Sequence, residues 1–179
     1  MATTKLFFAG SGGQGVLTMG QMVTYAAMYA DMNATWLPSY GPEMRGGTAN
    51  CHVGISTEPI GAPMFTHPTE LIAMNAPSIE KFGSAVRSGG SVFINSSVVK
   101  EPFTREDVSV YYIPCEDIAA ELGNMKVANM VMLGAYIGAT GALRAETAEA
   151  MIRAMFTGAK AKLVPLNLEA LQRGLAAVQ

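Results

Sequence analysis

A glycine-rich turn near the start of the chain has residue types and spacing that suit ligand binding. It reads Gly10-Ser11-Gly12-Gly13-Gln14-Gly15, follows an apolar run and fits the pattern G-x-G-x-x-G. Glycines at such a turn let a ligand approach the backbone closely. The helix that follows offers free N–H groups and the positive end of its dipole. The turn therefore predicts either a site for an anion such as a phosphate, or a tight turn that docks against a partner protein.

The end of the second predicted strand argues against an ordinary nicotinamide site. A dinucleotide-binding fold places Asp or Glu there to hold the ribose hydroxyls. This chain instead reads Leu37-Pro38-Ser39-Tyr40, and the nearest acid downstream, Glu43, follows a proline turn. A phosphate-binding P-loop requires a lysine directly after its glycines, and this chain has none there. A stand-alone NAD(P)-binding, Rossmann-type dehydrogenase is kept as an alternative hypothesis.

A second turn-rich loop, residues 39–48, carries one charged pair, Glu43 and Arg45. If the first two strands are parallel, this loop and the glycine turn lie at the same edge of the sheet, where open α/β sheets bind ligands. Arg45 can then form a bidentate pair with a carboxylate or phosphate. In the alternative, Glu43 and Arg45 satisfy groups within the loop or pair with another subunit.

The hydrophobic pattern alternates between strands and helices and ends in a helical tail. It predicts an α/β fold, a three-layer sandwich with a mainly parallel, Rossmann-like sheet and a helical C-terminal part. The length of 179 residues suits one domain, residues 1–179. We expect Ser78 to cap one helix and the turn Pro165-Leu166-Asn167 to precede and cap the last. The predicted strands are 5–9, 35–37, 49–56, 71–74, 92–94 and 108–113, and the helices are 16 to about 31, 78–87, 115–123, 126–140, 145–156 and 168–178.

Composition narrows the class of partner and compartment. Only 15% of residues are charged, below the usual value of about 25%, which indicates either surface buried in partners or a well-buried α/β protein. The net charge of −2 without a basic cluster argues against nucleic acid. The uncharged stretch 127–143 contains Asn and Gly and falls short of a membrane span. The apolar run 6–9 is too short for a signal peptide, so we expect a cytoplasmic protein.

Cysteine and histidine do not form a predicted catalytic or metal site. The two cysteines, Cys51 and Cys115, have no C-x-x-C spacing and cannot build a zinc ribbon or an iron–sulfur cluster alone. His52 follows Cys51 on a predicted strand, so the two side chains point to opposite faces. We expect Cys51 to be a buried thiol and His52 and His67 to be structural. The methionines at helical spacing are predicted to be core first and partner interface second.

Two segments together resemble the gamma subunit of 2-oxoacid:ferredoxin oxidoreductases. They are residues 8–16, which contain the glycine turn, and residues 38–51, which contain the second loop. The similarity extends over nearly the whole chain, including residues 71–75 and 129–134. The second loop is more similar to the 2-oxoglutarate and branched-chain 2-oxoacid types than to the pyruvate type.

This resemblance implies a division of labour between subunits. Enzymes of the family decarboxylate a 2-oxoacid on thiamine diphosphate with Mg, pass electrons through [4Fe-4S] clusters to external ferredoxin and release an acyl-CoA. Alpha and beta subunits form the thiamine site, and the clusters lie on beta or on a ferredoxin-like delta subunit. The gamma subunit completes the hetero-oligomer near the coenzyme A region. The resemblance therefore implies that no cofactor is wholly bound by this chain and that it holds no catalytic or metal-binding residue.

The resemblance also assigns residues to a surface that either faces coenzyme A or docks a partner subunit. A purely scaffolding subunit stays open as an alternative. The residues are Gly10, Gly12, Gly13, Gln14, Gly15, Tyr40, Glu43, Arg45, Gly46, Gly47 and Asn75.

Overall fold

A six-stranded mixed sheet forms the centre of the computed structural model, which describes residues 3–42 and 46–178. The strand order is β2-β3-β1-β4-β5-β6. Strands β1, β4, β5 and β6 are mutually parallel, whereas β3 is antiparallel to both β1 and β2. Five of these six strands therefore run in one direction, as predicted. The strands are β1 Thr4–Ser11, β2 Asn33–Tyr40, β3 Thr48–Ser56, β4 Glu70–Ala73, β5 Ser91–Asn95 and β6 Ser109–Ile113.

Helices cover both faces of this sheet, which confirms the three-layer prediction. Helices α1 and α3–α6 pack on one face and α2 packs on the other. Short 3₁₀ turns occupy Gly83–Ala85, Met125–Val127 and Gly158–Leu163. The helices are α1 Val16–Tyr29, α2 Ala76–Phe82, α3 Cys115–Glu121, α4 Ala128–Thr140, α5 Ala145–Met155 and α6 Val164–Ala176.

Helix α4 is the centre of the larger core. It is apolar on nearly every side, and residues 128–137 are all buried, which is typical of a helix enclosed by other elements. It packs against α6 with the two backbones in direct contact. A Cβ on Gly134 would overlap the carbonyl oxygen of Leu171, and a Cβ on Gly174 would overlap that of Val131. Glycine at both positions lets these helices approach closely.

The second strand is longer than predicted. The sequence predicts residues 35–37, which stop before Pro38, whereas β2 begins at Asn33 and continues through Pro38 to Tyr40. The strand lies at the edge of the sheet. A proline is tolerated there because one side of an edge strand has no partner for a backbone N–H.

Two helix starts also differ from the prediction. Asn75, rather than Ser78, caps α2, because its Oδ1 accepts a hydrogen bond of 3.1 Å from the Ser78 N–H. Helix α6 begins at Val164, four residues before the predicted start at Leu168. Pro165 lies in its first turn, where its missing N–H costs nothing. Asn167 is inside the helix and donates from Nδ2 to the Leu163 carbonyl at 2.8 Å.

The topology brings the two predicted loops together. Since β1 and β2 run in the same direction, both end at one edge of the sheet, at Ser11 and Tyr40. Strand β3 starts at that edge with Thr48 and lies between β1 and β2. In a dinucleotide-binding fold β1 and β2 are neighbours. The second strand of this chain is therefore one strand further from the glycine turn.

Candidate ligand-binding cleft at the glycine turn

Left-handed backbone conformations shape the glycine turn. Gly13 has φ 96° and Gly15 has φ 71°, and Gly15 is the N-cap of α1. L side chains rarely adopt such angles, which explains glycine at both positions. Gly10 is needed for a different reason. A Cβ there would come within 2.7 Å of Gln14 Oε1 and of Val16 Cγ2.

Side-chain amides hold the turn against the neighbouring parallel strand. Gln14 Oε1 accepts from the Ser11 N–H at 2.8 Å, and Gln14 Nε2 donates to the Met74 carbonyl at 3.0 Å. Asn75 Nδ2 donates to Ser11 Oγ at 2.7 Å, while its Oδ1 caps α2. Gln14 and Asn75, which were singled out from the sequence, therefore meet at one place and fix the ends of β1 and β4.

Two further asparagines support the turn and were missed by the sequence analysis. Asn95, fully buried at the end of β5, donates from Nδ2 to the Met74 carbonyl at 3.3 Å and accepts from the Ser97 N–H. Asn129, in α4, donates from Nδ2 to the Gly15 carbonyl at 3.5 Å. The sequence signal for Asn95 is a polar residue at the end of an apolar strand. The signal for Asn129 is a polar residue within an apolar helix.

Backbone hydrogen bonds join the glycine turn to the second loop. The Gly12 N–H donates to the Gly47 carbonyl at 2.8 Å, and the Gly46 N–H donates to the Gly12 carbonyl at 3.5 Å. Tyr40, at the end of β2, is 60% exposed beside them. Glu43 and Arg45 lie outside the described residues, so their assignment stays a prediction.

A cleft of about 300 Å³ lies between the glycine turn and the start of β3. Tyr40, Gly47, Thr48 and Ala49 line one side, and the turn with the first residues of α1 lines the other. Several backbone N–H groups on the α1 side have no acceptor within the described chain. They belong to Gly13, Gly15, Val16, Leu17 and Thr18, all of which line the cleft.

The N–H groups of Ser11, Gly12 and Gln14 are unavailable to a ligand because each already has an acceptor. The first turn of α1 is different, since a helix leaves its first N–H groups unpaired and carries its positive dipole end there. The cleft can therefore accept an anion through the helix start rather than through the whole glycine turn.

Cys51 and His52 lie on opposite faces of β3, as predicted. Burial raises the pKa of the Cys51 thiol to about 12, partly opposed by the Trp36 indole, so the group is a poor nucleophile. His52 packs edge-on between Phe7 and Phe65, with Nε2 at 3.0 Å from the Phe65 carbonyl. Burial lowers its pKa, which favours the neutral ring.

Within residues 3–42 and 46–178, no three His, Cys, Asp or Glu side chains are grouped so that they could hold a metal ion. In the same segments, no helix is long and apolar enough to cross a membrane.

The family described as "Pyruvate ferredoxin/flavodoxin oxidoreductase" matches residues 5–177. The chain therefore belongs to this family, which confirms the class of protein predicted from the two loops.

Curated relatives belong to two types of 2-oxoacid oxidoreductase. Ketoisovalerate oxidoreductase subunit VorA of Methanothermobacter marburgensis is 40% identical over 172 residues, which is 95% of this chain and 35% of VorA. The chain thus spans about a third of that relative's length. 2-Oxoglutarate synthase subunit KorC of Methanocaldococcus jannaschii is 34% identical over 151 residues, 83% of this chain and 81% of KorC.

Solved structures share the fold over the full length of the chain. The keto/oxoacid ferredoxin oxidoreductase gamma subunit of Geobacter sulfurreducens has a TM-score of 0.83 and 28% identity, and covers 98% of each chain. The 2-oxoglutarate:ferredoxin oxidoreductase of Magnetococcus marinus, solved with 2-oxoglutarate, coenzyme A and succinyl-CoA, has a TM-score of 0.91 and 24% identity. The match covers 99% of this chain and 31% of the Magnetococcus marinus chain.

Proposed function

We propose that this chain is the gamma-type part of a 2-oxoacid:ferredoxin oxidoreductase and that its glycine cleft contacts coenzyme A. The chain completes the assembly and carries no bond-making residue. The assembled enzyme decarboxylates a 2-oxoacid oxidatively, forms an acyl-CoA and reduces ferredoxin. Relatives named for ketoisovalerate and for 2-oxoglutarate support a 2-oxoglutarate or branched-chain 2-oxoacid as the substrate.

The observation that carries this proposal is a group of backbone N–H donors with no acceptor within the described residues. They belong to Gly13, Gly15 and the first turn of α1, which all line one cleft of about 300 Å³. Phosphate is the anion that such helix starts bind in many proteins. Coenzyme A supplies phosphates, so the donors present fit a phosphate of this cosubstrate.

The other cofactors are assigned to partner subunits. The chain has two cysteines in all, fewer than the four thiolates that hold a [4Fe-4S] cluster, and both are buried. We therefore place the clusters on the beta or delta subunit, and the family resemblance places thiamine diphosphate with Mg between the alpha and beta subunits. These groups supply the decarboxylation and electron transfer, whereas this chain binds and orients.

A stand-alone dehydrogenase is disfavoured by the topology. The carboxylate that holds the ribose of NAD belongs at the end of a strand next to β1. In this sheet the neighbour on that side is β3, which runs the opposite way and starts, rather than ends, at the cleft. Lack of NAD(H) binding by the purified chain is the expected result.

Kinetics of the purified complex test the cleft assignment. Tyr40→Glu adds a negative charge at an exposed position beside the cleft. We expect KM for coenzyme A to rise about three- to tenfold, because like charges repel across a few ångströms. The KM for the 2-oxoacid and kcat should not change. Tyr40→Gln is the neutral control, and Tyr29→Glu places the same charge at another exposed tyrosine, 72% exposed on α1.

Each outcome separates the alternatives. A complex that does not reduce ferredoxin in a reaction requiring both a 2-oxoacid and coenzyme A would contradict the proposal as a whole. An unchanged KM for coenzyme A in Tyr40→Glu, together with weakened assembly, would leave the chain as a scaffold.

A further inference from the structure

A second groove lies on the other side of the first turn of α1. We call it the lysine groove and define it by Thr18, Lys126, Asn129, Phe156, Lys160 and Asn167, which line a space of about 470 Å³. This volume is larger than that of the glycine cleft and within the range of small-molecule sites, about 300–1,000 Å³. The two spaces share Thr18 but no other lining residue in the described chain.

The electrostatics of the groove favour an anion. Lys126 and Lys160 are exposed on its rim, and neither forms an ion pair with any residue in 3–42 or 46–178. No acidic side chain of those segments lines the space.

The floor of the groove presents hydrogen-bond acceptors. Asn129 and Asn167 are 8% and 5% exposed. Each donates its NH₂ group to a backbone carbonyl, of Gly15 and Leu163 respectively. No donor within the described residues reaches either Oδ1. Hydroxyl or amino groups of a ligand could therefore donate to these two oxygens.

Phe156 supplies an aromatic wall. It is partly buried against the large core and its neighbour Met155 also lines the groove. A flat ring stacks on such a side chain, which is how many proteins hold a nucleobase.

We propose that the lysine groove is a binding site for a nucleoside phosphate, separate from the glycine cleft. Lys126 and Lys160 hold the phosphates through charge-assisted hydrogen bonds. Asn129 and Asn167 accept from ribose hydroxyls or a base amino group, and Phe156 stacks on the base.

Calorimetric titration of the full chain with ADP, adenosine and inorganic phosphate tests this site. ADP should bind more tightly than either fragment. Lys126→Gln with Lys160→Gln should weaken ADP binding about tenfold or more, since charge-assisted hydrogen bonds are the strong ones. Phe156→Leu should weaken ADP and adenosine but not phosphate. Lys162→Gln, an exposed lysine of the same 3₁₀ turn that does not line the groove, should bind ADP as the unmodified chain does.

Two results would overturn the inference. One is that ADP does not bind, or that it binds equally well to the double lysine variant. The other is ADP binding that Tyr40→Glu weakens and the lysine variants do not, because ADP would then occupy the glycine cleft. That second result would leave the proposed function intact. Both lysines are exposed, so thermal unfolding should show that the double variant keeps its fold.

Discussion

The backbone of Gly15 rests on the side-chain amide of Asn129, 114 residues further along the chain. Asn129 Nδ2 donates to the Gly15 carbonyl at 3.5 Å, and a Cβ on Gly15 would overlap that amide. Helix α4 thus contacts the N-cap of α1, from which the N–H groups lining the cleft extend.

Alanine substitution at two glycines separates backbone strain from overlap. Gly13 and Gly15 both have positive φ, but a Cβ on Gly13 would meet nothing within 4 Å. Gly13→Ala should cost about 1–2 kcal/mol from strain alone. Gly15→Ala should cost about 1–3 kcal/mol more because it also overlaps Asn129. Urea unfolding measures both, and equal losses would show that Asn129 moves away freely.

Gln14 is expected to hold the glycine turn in place. Its amide accepts from the Ser11 N–H and donates to the Met74 carbonyl. Gln14→Glu keeps the first bond but sets a carboxylate against a carbonyl, so we expect a loss of about 1–3 kcal/mol at pH 8. Protonation restores a donor, and the loss should shrink as the pH falls toward 4. A deficit independent of pH in chemical unfolding would argue against this geometry.

Arg105 braces the end of α2. Its Nη1 donates to the Val86 carbonyl at 2.6 Å and to the Gly83 carbonyl at 3.2 Å, while Asp107 accepts from Nε and Nη2. Arg105→Ala should destabilise the fold by about 1–3 kcal/mol, since it leaves these carbonyls unpaired. Arg144→Ala is the control, because its pair with Glu146 is solvent-exposed and such pairs contribute about 0–1 kcal/mol. Thermal unfolding measures the stability of both variants. Similar losses of stability would contradict a stabilising role for the Arg105 hydrogen bonds.

Glu70 should make stability depend on pH. Burial raises the pKa of its carboxyl above 4.5, and the nearby Tyr136 hydroxyl opposes this only in part. The folded state therefore binds the proton more tightly than the unfolded state. The stabilising contribution is fully present below about pH 4.5 and is lost as the pH rises through the folded-state pKa.

Replacement with a neutral side chain tests that dependence. Glu70→Gln should be more stable than the unmodified chain at pH 7–8, with an advantage that shrinks toward pH 4. Urea unfolding across this range measures it, and the exposed Glu169→Gln on α6 should show no such trend. A difference that stays constant with pH would contradict a raised pKa.

Local patterns determined much of the fold. The alternation of apolar strands and helical stripes predicted six strands and the helical tail, and the family followed from two loops of adjacent residues. Gly10, Gly12, Gly13, Gln14, Gly15, Tyr40, Gly46, Gly47 and Asn75 do lie at one edge of the sheet. Their role toward coenzyme A stays a proposal.

Contacts distant in sequence decided the rest. No local signal shows that β3 inserts antiparallel between β1 and β2, since strand order depends on which faces bury together. By local sequence rules Pro38 should end its strand, but β2 continues through it because an edge strand tolerates proline. Asn129 reaches Gly15 of the turn, and Asn95 reaches the Met74 carbonyl that also binds Gln14, only because α4 and β5 pack beside them. The sequence by itself determined the elements and the family, whereas the tertiary structure decided which N–H groups are free, because their acceptors come from other parts of the chain.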